Sequence, residues 1–309
     1  MKIVRIEVFR VDVPMKPDSV NSPEFGGDGV SAFTLGLHKH ILKMHTDEGI
    51  VGLGETWKGT PAAAVRKGAE ALLGTDPTRL SLHRLPLPYD TEEVNVRDRG
   101  EVVAVPVSSI PHNPAVHAFE VAVADIVGQA FGVPICQLLG GPVRDRVLVH
   151  YWSGRRTPED LARVAKQAQE RGFSGLKIKC ALEDPNLERV QAVYEACGPG
   201  FRITLDPNMR FRSVEATLEL AKRMEGLPVE VFEDPVAKDD LADYARLKAE
   251  MEIPLALHLE RPEDVLEAIR REVAGVFNLR GTMTGFMKAA YLAEVAGLPV
   301  WRGSGLDLG

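Results

Sequence analysis

The sequence predicts an α/β fold in which a (β/α)-barrel follows an amino-terminal α+β capping domain. Up to about residue 130, alternating strand patterns are followed by helical ones. From about residue 144, short apolar runs alternate with amphipathic stretches, which is typical of a parallel sheet. Seven such strand–helix units favour a modified, TIM-like barrel over an open sheet. We therefore place the cap at residues 1–130 and the barrel at 131–309.

The predicted cap begins with strands. Residues 3–13 alternate apolar and polar side chains, and residues 39–55 form two strand patterns around the turn Thr46-Asp47-Glu48-Gly49. Residues 21–33, between them, are rich in glycine and polar residues and predict a mobile loop. Two helices are predicted after the strands, at residues 61–74 and 114–130.

The predicted barrel strands are the apolar runs at residues 147–152, 174–179, 201–206, 229–233, 254–258, 274–279 and 298–301. The helices between them start near Pro158, Asn186, Val214, Asp239, Pro262 and Gly285. The pattern stops after the seventh strand, whereas a closed eight-stranded barrel needs a further helix, strand and helix. Either the sequence is cut back at this end or the barrel closes in an unusual way. We favour the first, because an open sheet edge exposes unpaired backbone groups.

Composition narrows the class of function. The chain has 309 residues and a net charge of −7, which disfavours binding to a nucleic-acid backbone. No apolar run approaches the roughly 20 residues of a membrane span, and the amino terminus has no signal-peptide pattern. We expect a cytoplasmic protein with no membrane partner. Cys136, Cys180 and Cys197 match no zinc spacing and are expected to be reduced thiols.

Charged residues end three neighbouring strands of the predicted barrel, where active residues of such barrels gather. Lys177 and Lys179 lie two apart on one strand and therefore point the same way. Two adjacent ammonium groups depress each other's pKa, which is one way to make a lysine a base. Asp206 and Glu233 end the next two strands and can converge on a hard cation such as Mg²⁺. Ordinary ion pairs among these four residues are the alternative.

These motifs resemble those of the enolase superfamily, in the branch of mandelate racemase and muconate lactonizing enzyme. The resemblance implies that Lys179 is the general base with Lys177 beside it, and that Asp206 and Glu233 bind Mg²⁺. It also implies a small carboxylate substrate, a metal-stabilised enediolate and a homo-oligomer. The matching stretches are SGLKIK, ITLDPN, VFEDP, TDEGIVGLGE and PICQLLGGPVRDR.

One departure from the family concerns the third metal ligand. Relatives usually supply it as a carboxylate after the fifth barrel strand, which is predicted here at residues 254–258. This chain has His258 and Leu259 there. His258 is a candidate ligand, which leaves Mn²⁺ or another divalent ion open beside Mg²⁺, and also Zn²⁺ chemistry on the same fold. A substrate contact and a structural role are the alternatives for His258. Glu260 shares its parity and is a candidate substrate contact.

A second departure concerns the second base. The sixth predicted barrel strand, at residues 274–279, contains no lysine and is followed by Arg280. Arg302 follows the seventh predicted strand, at residues 298–301. Arginine is a poor base, but its planar guanidinium suits a carboxylate or hydroxyl groups. Racemization needs a base on each face of the reacting carbon, whereas elimination needs one. Asn208, His150 and Tyr151 also end predicted strands and complete the candidate substrate contacts.

The sequence therefore favours a metal-dependent dehydratase of an acid sugar or related hydroxy acid. A racemase, epimerase or cycloisomerase of the same superfamily is the first alternative. The second is a degenerate member that acts as a binding or scaffold protein. A divalent metal between Asp206 and Glu233 favours the enzyme, and lysines paired to those acids favour the scaffold.

Overall fold

A computed structural model describes residues 1–16, 20–25, 37–89, 113–239 and 241–303. Most of the predicted loop at residues 21–33 lies outside these ranges. The cap sheet contains three antiparallel strands in the order β1-β2-β3, and its register places Ile6 beside Met44 and Met44 beside Gly52. Its strands are β1 (Ile3–Val13), β2 (Leu37–Thr46) and β3 (Val51–Glu55).

Two helices accompany this sheet, α1 (Ala62–Leu72) and α2 (Val116–Phe131). Helix α2 packs directly on the sheet, because Gly52 and Gly54 present no side chain to it. A Cβ atom on Gly54 would stand 2.1 Å from the carbonyl oxygen of Ala118. The cap has a core of its own, which includes Leu42, Met44 and Phe119.

A parallel sheet forms the second part of the described chain, with seven strands in the order β10-β9-β8-β7-β6-β5-β4. The strands are β4 (Tyr151–Ser153), β5 (Gly175–Lys179), β6 (Arg202–Asp206), β7 (Val229–Glu233), β8 (Leu255–Leu259), β9 (Val276–Leu279) and β10 (Val300–Arg302). A short helix, α3 (Ile135–Leu138), precedes them. The helices that follow successive strands are α4 (Pro158–Glu170), α5 (Asn186–Cys197), α6 (Val214–Arg223), α7 (Leu241–Glu250), α8 (Pro262–Arg270) and α9 (Met283–Val295).

This sheet agrees with the predicted alternation, but within the described ranges it is not a closed barrel, because β4 and β10 do not pair with each other. The predicted strand at 147–152 was wrong in position, since β4 begins only at Tyr151. Val147 and Leu148 are 72% and 86% exposed, so this apolar run is not part of the core. An apolar run alone does not identify a strand, because strand formation also needs a neighbouring backbone to pair with.

Local sequence signals set the helix boundaries. Thr157 caps α4 by accepting a hydrogen bond from Asp160 N, and Pro158 occupies the first turn, as the sequence predicts. The cap reaches helix α9 through Glu120, a buried residue of α2. Its carboxylate accepts hydrogen bonds from Met283 N at 2.5 Å and from Thr284 N at 3.0 Å. This contact fixes the start of α9 against the cap.

The core of the second part lies between the outer side of the parallel sheet and the helices, where Ile178, Leu205, Phe232 and Leu257 are buried. Side chains one position away along the same strands point to the opposite, inner side. Among the described helices, none combines the length and apolar character of a membrane-spanning segment.

Candidate active site

Strand β5 presents two lysines to the inner side of the sheet. Ile178 is buried in the core, whereas Lys177 and Lys179, on either side of it, keep 19% and 13% of their side chains exposed. Because side chains alternate along a strand, Ile178 points to the core on the outer side and the two lysines point to the inner side. Register places Lys179 beside Asp206 on β6.

The lysines form a compact cluster with two buried carboxylates. Lys177 Nζ lies 2.8 Å from Asp206 Oδ2 and 2.6 Å from Glu233 Oε2. Lys179 Nζ lies 2.5 Å from the same Asp206 oxygen. Asp206 and Glu233 are 0% and 1% exposed, so each depends on these partners for compensation of its charge. Lys177, Lys179, Asp206 and Glu233 are thus brought together on the inner side of the sheet.

Asn208 completes the surroundings of Lys179. Its Oδ1 accepts a hydrogen bond from Lys179 Nζ at 2.6 Å, and its backbone N–H donates to Asp206 Oδ1 at 3.1 Å. The backbone of Asn208 is left-handed, with φ of 47°, a conformation that asparagine tolerates better than most residues. The strand therefore turns sharply after Asp206, and this turn returns the Asn208 side chain to the lysine.

Asn278 holds Glu233 from the other side. Asn278 Nδ2 donates to Glu233 Oε1 at 2.7 Å, although β8 lies between their strands. Asn278 Oδ1 is buried and has no hydrogen-bond partner among the described residues. Asn278 was not among the sequence candidates. Asn278 is the register partner of His258 on the neighbouring strand. The sequence does not reveal this pairing, because it depends on the order of the strands in the sheet.

Burial and neighbouring charges set the pKa values of the cluster. Burial lowers the pKa of the Lys179 ammonium; Asp206 opposes that shift, and Lys177 adds to it. Burial would also lower the pKa of Lys177, but Asp206 and Glu233 outweigh it and raise this pKa. The two lysines hold the pKa of Asp206 well below its ordinary value against the effect of burial. Burial and then Asp206 raise the pKa of Glu233. Lys179 is thus the lysine closer to working as a base.

His258 lies on β8, is 4% exposed, and its Nε2 has no hydrogen-bond partner within the described part of the chain. Burial lowers the pKa of His258 well below its ordinary value, and Arg280 and Lys238 lower it further, so the imidazole is neutral at pH 7. A neutral imidazole is the form that binds metals.

A buried ion pair fixes the backbone at His258. His258 N donates to Asp234 Oδ1 at 3.0 Å, and Lys238 Nζ lies 2.6 Å from Asp234 Oδ2 and 2.8 Å from His258 O. Sequence reasoning missed Asp234 and Lys238. Their i, i+4 spacing gave no signal, because the segment that joins them is a loop after β7 rather than a helix.

The donors suit a divalent cation in part. Asp206 and Glu233 already flank one cationic centre, the Lys177 ammonium, so their carboxylates can face a common positive charge. Carboxylate oxygens suit Mg²⁺, and the unpartnered His258 Nε2 is a nitrogen donor that suits softer ions. Across the described ranges, however, no three histidine, cysteine or acidic residues converge on one metal position.

The remaining candidates divide into two groups. Arg280 lies just after β9, Arg302 ends β10, and the half-buried Glu260 directly follows β8, so all three are at the same end of the sheet as Lys179. The guanidinium carbons of Arg280 and Arg302 lie 5.3 and 5.6 Å from the ring centroid of Trp57. Trp57 belongs to the cap and was not among the sequence candidates.

His150 and Tyr151 are not at this site. His150 precedes β4, and its Nε2 lies 3.6 Å from Glu230, near the start of β7. Tyr151 is the first residue of β4 and packs against Phe173, which precedes β5. The interpretation that these two residues end a strand was wrong. The strand starts later than the apolar run suggests, and both residues lie at its amino-terminal end.

Comparison with known proteins identifies relatives of this arrangement. The family model described as enolase C-terminal domain-like matches residues 160–309. The N-succinyl-L-Arg/Lys racemase of Bacillus cereus is 25% identical over 321 residues, which cover 98% of this chain and 80% of the relative. The D-galactonate dehydratase of Pectobacterium atrosepticum is 32% identical over 244 residues, which cover 74% of this chain and 59% of the relative.

The fold has close counterparts among solved structures. The dipeptide epimerase of Enterococcus faecalis, complexed with Mg and the dipeptide L-Leu-L-Tyr, superposes with a TM-score of 0.78. Its sequence is 21% identical, and the match covers 98% of this chain and 82% of that one. At this identity the likeness establishes the shared fold alone.

Proposed function

Because this chain belongs to the enolase superfamily, in the branch of mandelate racemase and muconate lactonizing enzyme, we propose that it is a dehydratase of a hydroxy acid or acid sugar. The enzyme class that its relatives support is a lyase or an isomerase. The observation that carries the choice is the composition of the inner side of the sheet. Lys179 stands on β5, and Arg280, rather than a lysine, follows β9.

In this proposal Lys179, as the neutral amine, takes the proton from the carbon next to the substrate carboxylate. Lys177 stays protonated, because Asp206 and Glu233 raise its pKa, and its positive charge faces the carboxylate of the substrate. Asn208 orients Lys179 through its 2.6 Å hydrogen bond. The fixed Lys177 ammonium would thus stabilise the negative charge that develops on the enediolate in this partly buried site.

Elimination completes the reaction with one base. The electron pair of the broken C–H bond forms a carbon–carbon double bond, and the C–O bond to the β-hydroxyl breaks. The Lys179 ammonium returns its proton to the leaving oxygen, so water departs. Where the substrate has hydroxyls on both the α- and β-carbons, as acid sugars do, the product is an enol that tautomerises to a 2-oxo acid. This sequence needs no acid or base on the second face of the substrate, where arginine would be a poor base.

Asp206 and Glu233 would hold a divalent cation, with His258 as a candidate third donor. Such an ion, when bound, supplies Lewis-acid stabilisation of the substrate carboxylate. The ion pairs of Lys177 and Lys179 with Asp206 and Glu233 are compatible with this role. A divalent cation would bind the same carboxylates in competition with the ammonium groups. A second positive centre beside Lys179 would lower its pKa further, toward the working range of a base.

Two alternatives have support of their own. A racemase or epimerase is favoured by the N-succinyl-L-Arg/Lys racemase, whose match spans 98% of this chain. A scaffold protein is favoured by the pairing of both lysines with the acids. The reaction in D₂O separates the three, because each leaves a different signature on the substrate.

The experiment follows substrate by NMR in D₂O with Mg²⁺, using acid sugars, hydroxy acids and N-acyl amino acids. The variants are Lys179→Ala and, as a matched control on the exposed side of α7, Lys248→Ala. A dehydratase gives a 2-oxo acid, and Lys179→Ala abolishes it while Lys248→Ala does not. Deuterium at the α-carbon with inversion and no loss of water would replace the dehydratase with an epimerase. No exchange across the library, together with no Mg²⁺ binding, would favour the scaffold.

A further inference from the structure

Asp234 joins the ends of three neighbouring strands. It directly follows Glu233, the last residue of β7. Its Oδ1 accepts a hydrogen bond from His258 N on β8 at 3.0 Å, and its backbone oxygen accepts one from Met209 N at 2.7 Å. Met209 belongs to the turn that follows β6. One residue therefore contacts the segments that carry Asp206, Glu233 and His258.

Left-handed backbone in two of these segments makes the contacts necessary. Asn208, Met209 and Asp234 have φ of 47°, 65° and 47°, a region that residues other than glycine occupy at a cost. Such conformations persist only where the surrounding structure holds them. The hydrogen bond from Met209 N to Asp234 O ties the two turns to each other. Because Asn208 Oδ1 accepts from Lys179 Nζ at 2.6 Å, the surroundings of the base depend on the turn that Asp234 supports.

Lys238 holds Asp234 in place. Its Nζ lies 2.6 Å from Asp234 Oδ2 and donates to His258 O at 2.8 Å. Together, Asp234 and Lys238 thus bind both backbone polar groups of His258. The side chains of Lys238 and Asp234 are 2% and 1% exposed, so each compensates the buried charge of the other. The ion pair acts on the backbone of His258, whose Nε2 has no partner among the described residues.

We propose that Asp234 and Lys238 are positioning residues, which set the position of His258 relative to Glu233 and so determine how tightly the site binds a divalent cation. Glu233 and Asp234 are consecutive, so a shift of Asp234 carries Glu233 with it. His258 is tied to the ion pair through two hydrogen bonds. Partners that orient metal ligands contribute about tenfold to hundredfold to metal affinity. This assignment rests on the proposed function, because it takes Glu233 and His258 as parts of one metal site.

Two variants separate positioning from simple compensation of charge. Lys238→Met leaves the buried Asp234 carboxylate without its ammonium partner, so it should destabilise the fold and weaken metal binding. Adding Asp234→Asn removes the uncompensated charge and keeps an oxygen that accepts from His258 N. The double variant should therefore regain most of the lost stability in urea denaturation, but it still lacks the hydrogen bond to His258 O. Its affinity for Mg²⁺ and Mn²⁺, measured calorimetrically, should stay about tenfold or more below that of the wild type.

An NMR measurement without metal makes the test independent of cation binding. In protein with ¹⁵N-labelled histidine, the ring signals of His258, assigned with His258→Gln, should shift in the double variant. The signals of the other histidines should stay in place. Lys248→Met, on the exposed side of α7, is the control and should change neither metal affinity nor the His258 signals.

The two measurements decide the assignment without any turnover. Wild-type metal affinity and unshifted His258 signals in the double variant would overturn it, even if α-proton exchange proceeds. Reduced affinity together with shifted His258 signals supports it, even if no substrate exchanges a proton and the proposed reaction falls.

Discussion

Asn278 and Glu233 are joined by a 2.7 Å hydrogen bond that crosses the strand between them. Lys177 on β5 and Glu233 on β7 are likewise two strands apart and lie 2.6 Å from each other. Contacts that skip a strand require the inner sides of the strands to turn toward one another. Glu233 is therefore the point on which both halves of the inner side converge.

Replacing Asn278 tests this convergence. Asn278→Ala removes a donor that favours the charged carboxylate, and burial already raises the pKa of Glu233. Glu233 in the variant should therefore protonate at a higher pH, and Mg²⁺ binding should be lost earlier as the pH falls. At pH 7 we expect a loss of affinity of about tenfold or more by calorimetry, as for other residues that orient metal ligands. Equal affinity in variant and wild type across the pH series would contradict this role.

The pH dependence of α-proton exchange should report on Lys179. The neutral amine is the base, so exchange should rise with pH through the pKa of Lys179, which burial places below the ordinary lysine value of about 10.4. Lys177→Met removes a neighbouring positive charge and should move this rise to higher pH by about one unit. Lys177→Arg keeps the charge and should leave its position in place. Identical profiles for the Met and Arg variants would refute the electrostatic coupling.

His258 should decide which metal the site prefers. With a neutral imidazole as third ligand, the protein should bind Mn²⁺ more tightly than Mg²⁺, because an imidazole nitrogen suits transition-metal ions better than it suits Mg²⁺. His258→Asp should strengthen Mg²⁺ binding relative to Mn²⁺, whereas His258→Leu should weaken both. Glu260→Gln is the control, because Glu260 shares the parity of His258 but lies beyond β8. If only the Glu260 variant changes metal affinity, the third ligand is Glu260.

Gly54 should be indispensable to the packing of the cap. A Cβ atom at this position would stand 2.1 Å from the carbonyl oxygen of Ala118, so Gly54→Ala must separate β3 from α2. We expect a loss of unfolding free energy of about 1–3 kcal/mol, measured by urea denaturation. Gly200→Ala is the matched control, since no atom lies within 4 Å of its added Cβ. Similar midpoints for the two variants would show that the helix is free to move away.

Much of the architecture could be predicted because it depends on local pattern. Helices α4, α5, α6 and α8 begin at Pro158, Asn186, Val214 and Pro262, as the sequence predicts. Prolines and capping residues act on their immediate neighbours, so their effect is visible in the sequence. The strand predicted at residues 147–152 was misplaced, because a strand starts where it pairs with a neighbouring strand. The sequence pattern of one segment does not contain that information.

By itself, the sequence determined which residue types end the strands, and hence that Lys177 and Lys179 share one side of the sheet. Strand periodicity is sufficient for that conclusion. Only the tertiary structure decided which of them touch, that Asn278 binds Glu233, that Asp234 and Lys238 hold His258, and that Trp57 contacts two arginines. These contacts join residues far apart along the chain. Their distances depend on sheet order and on the packing of the cap, which no local pattern specifies.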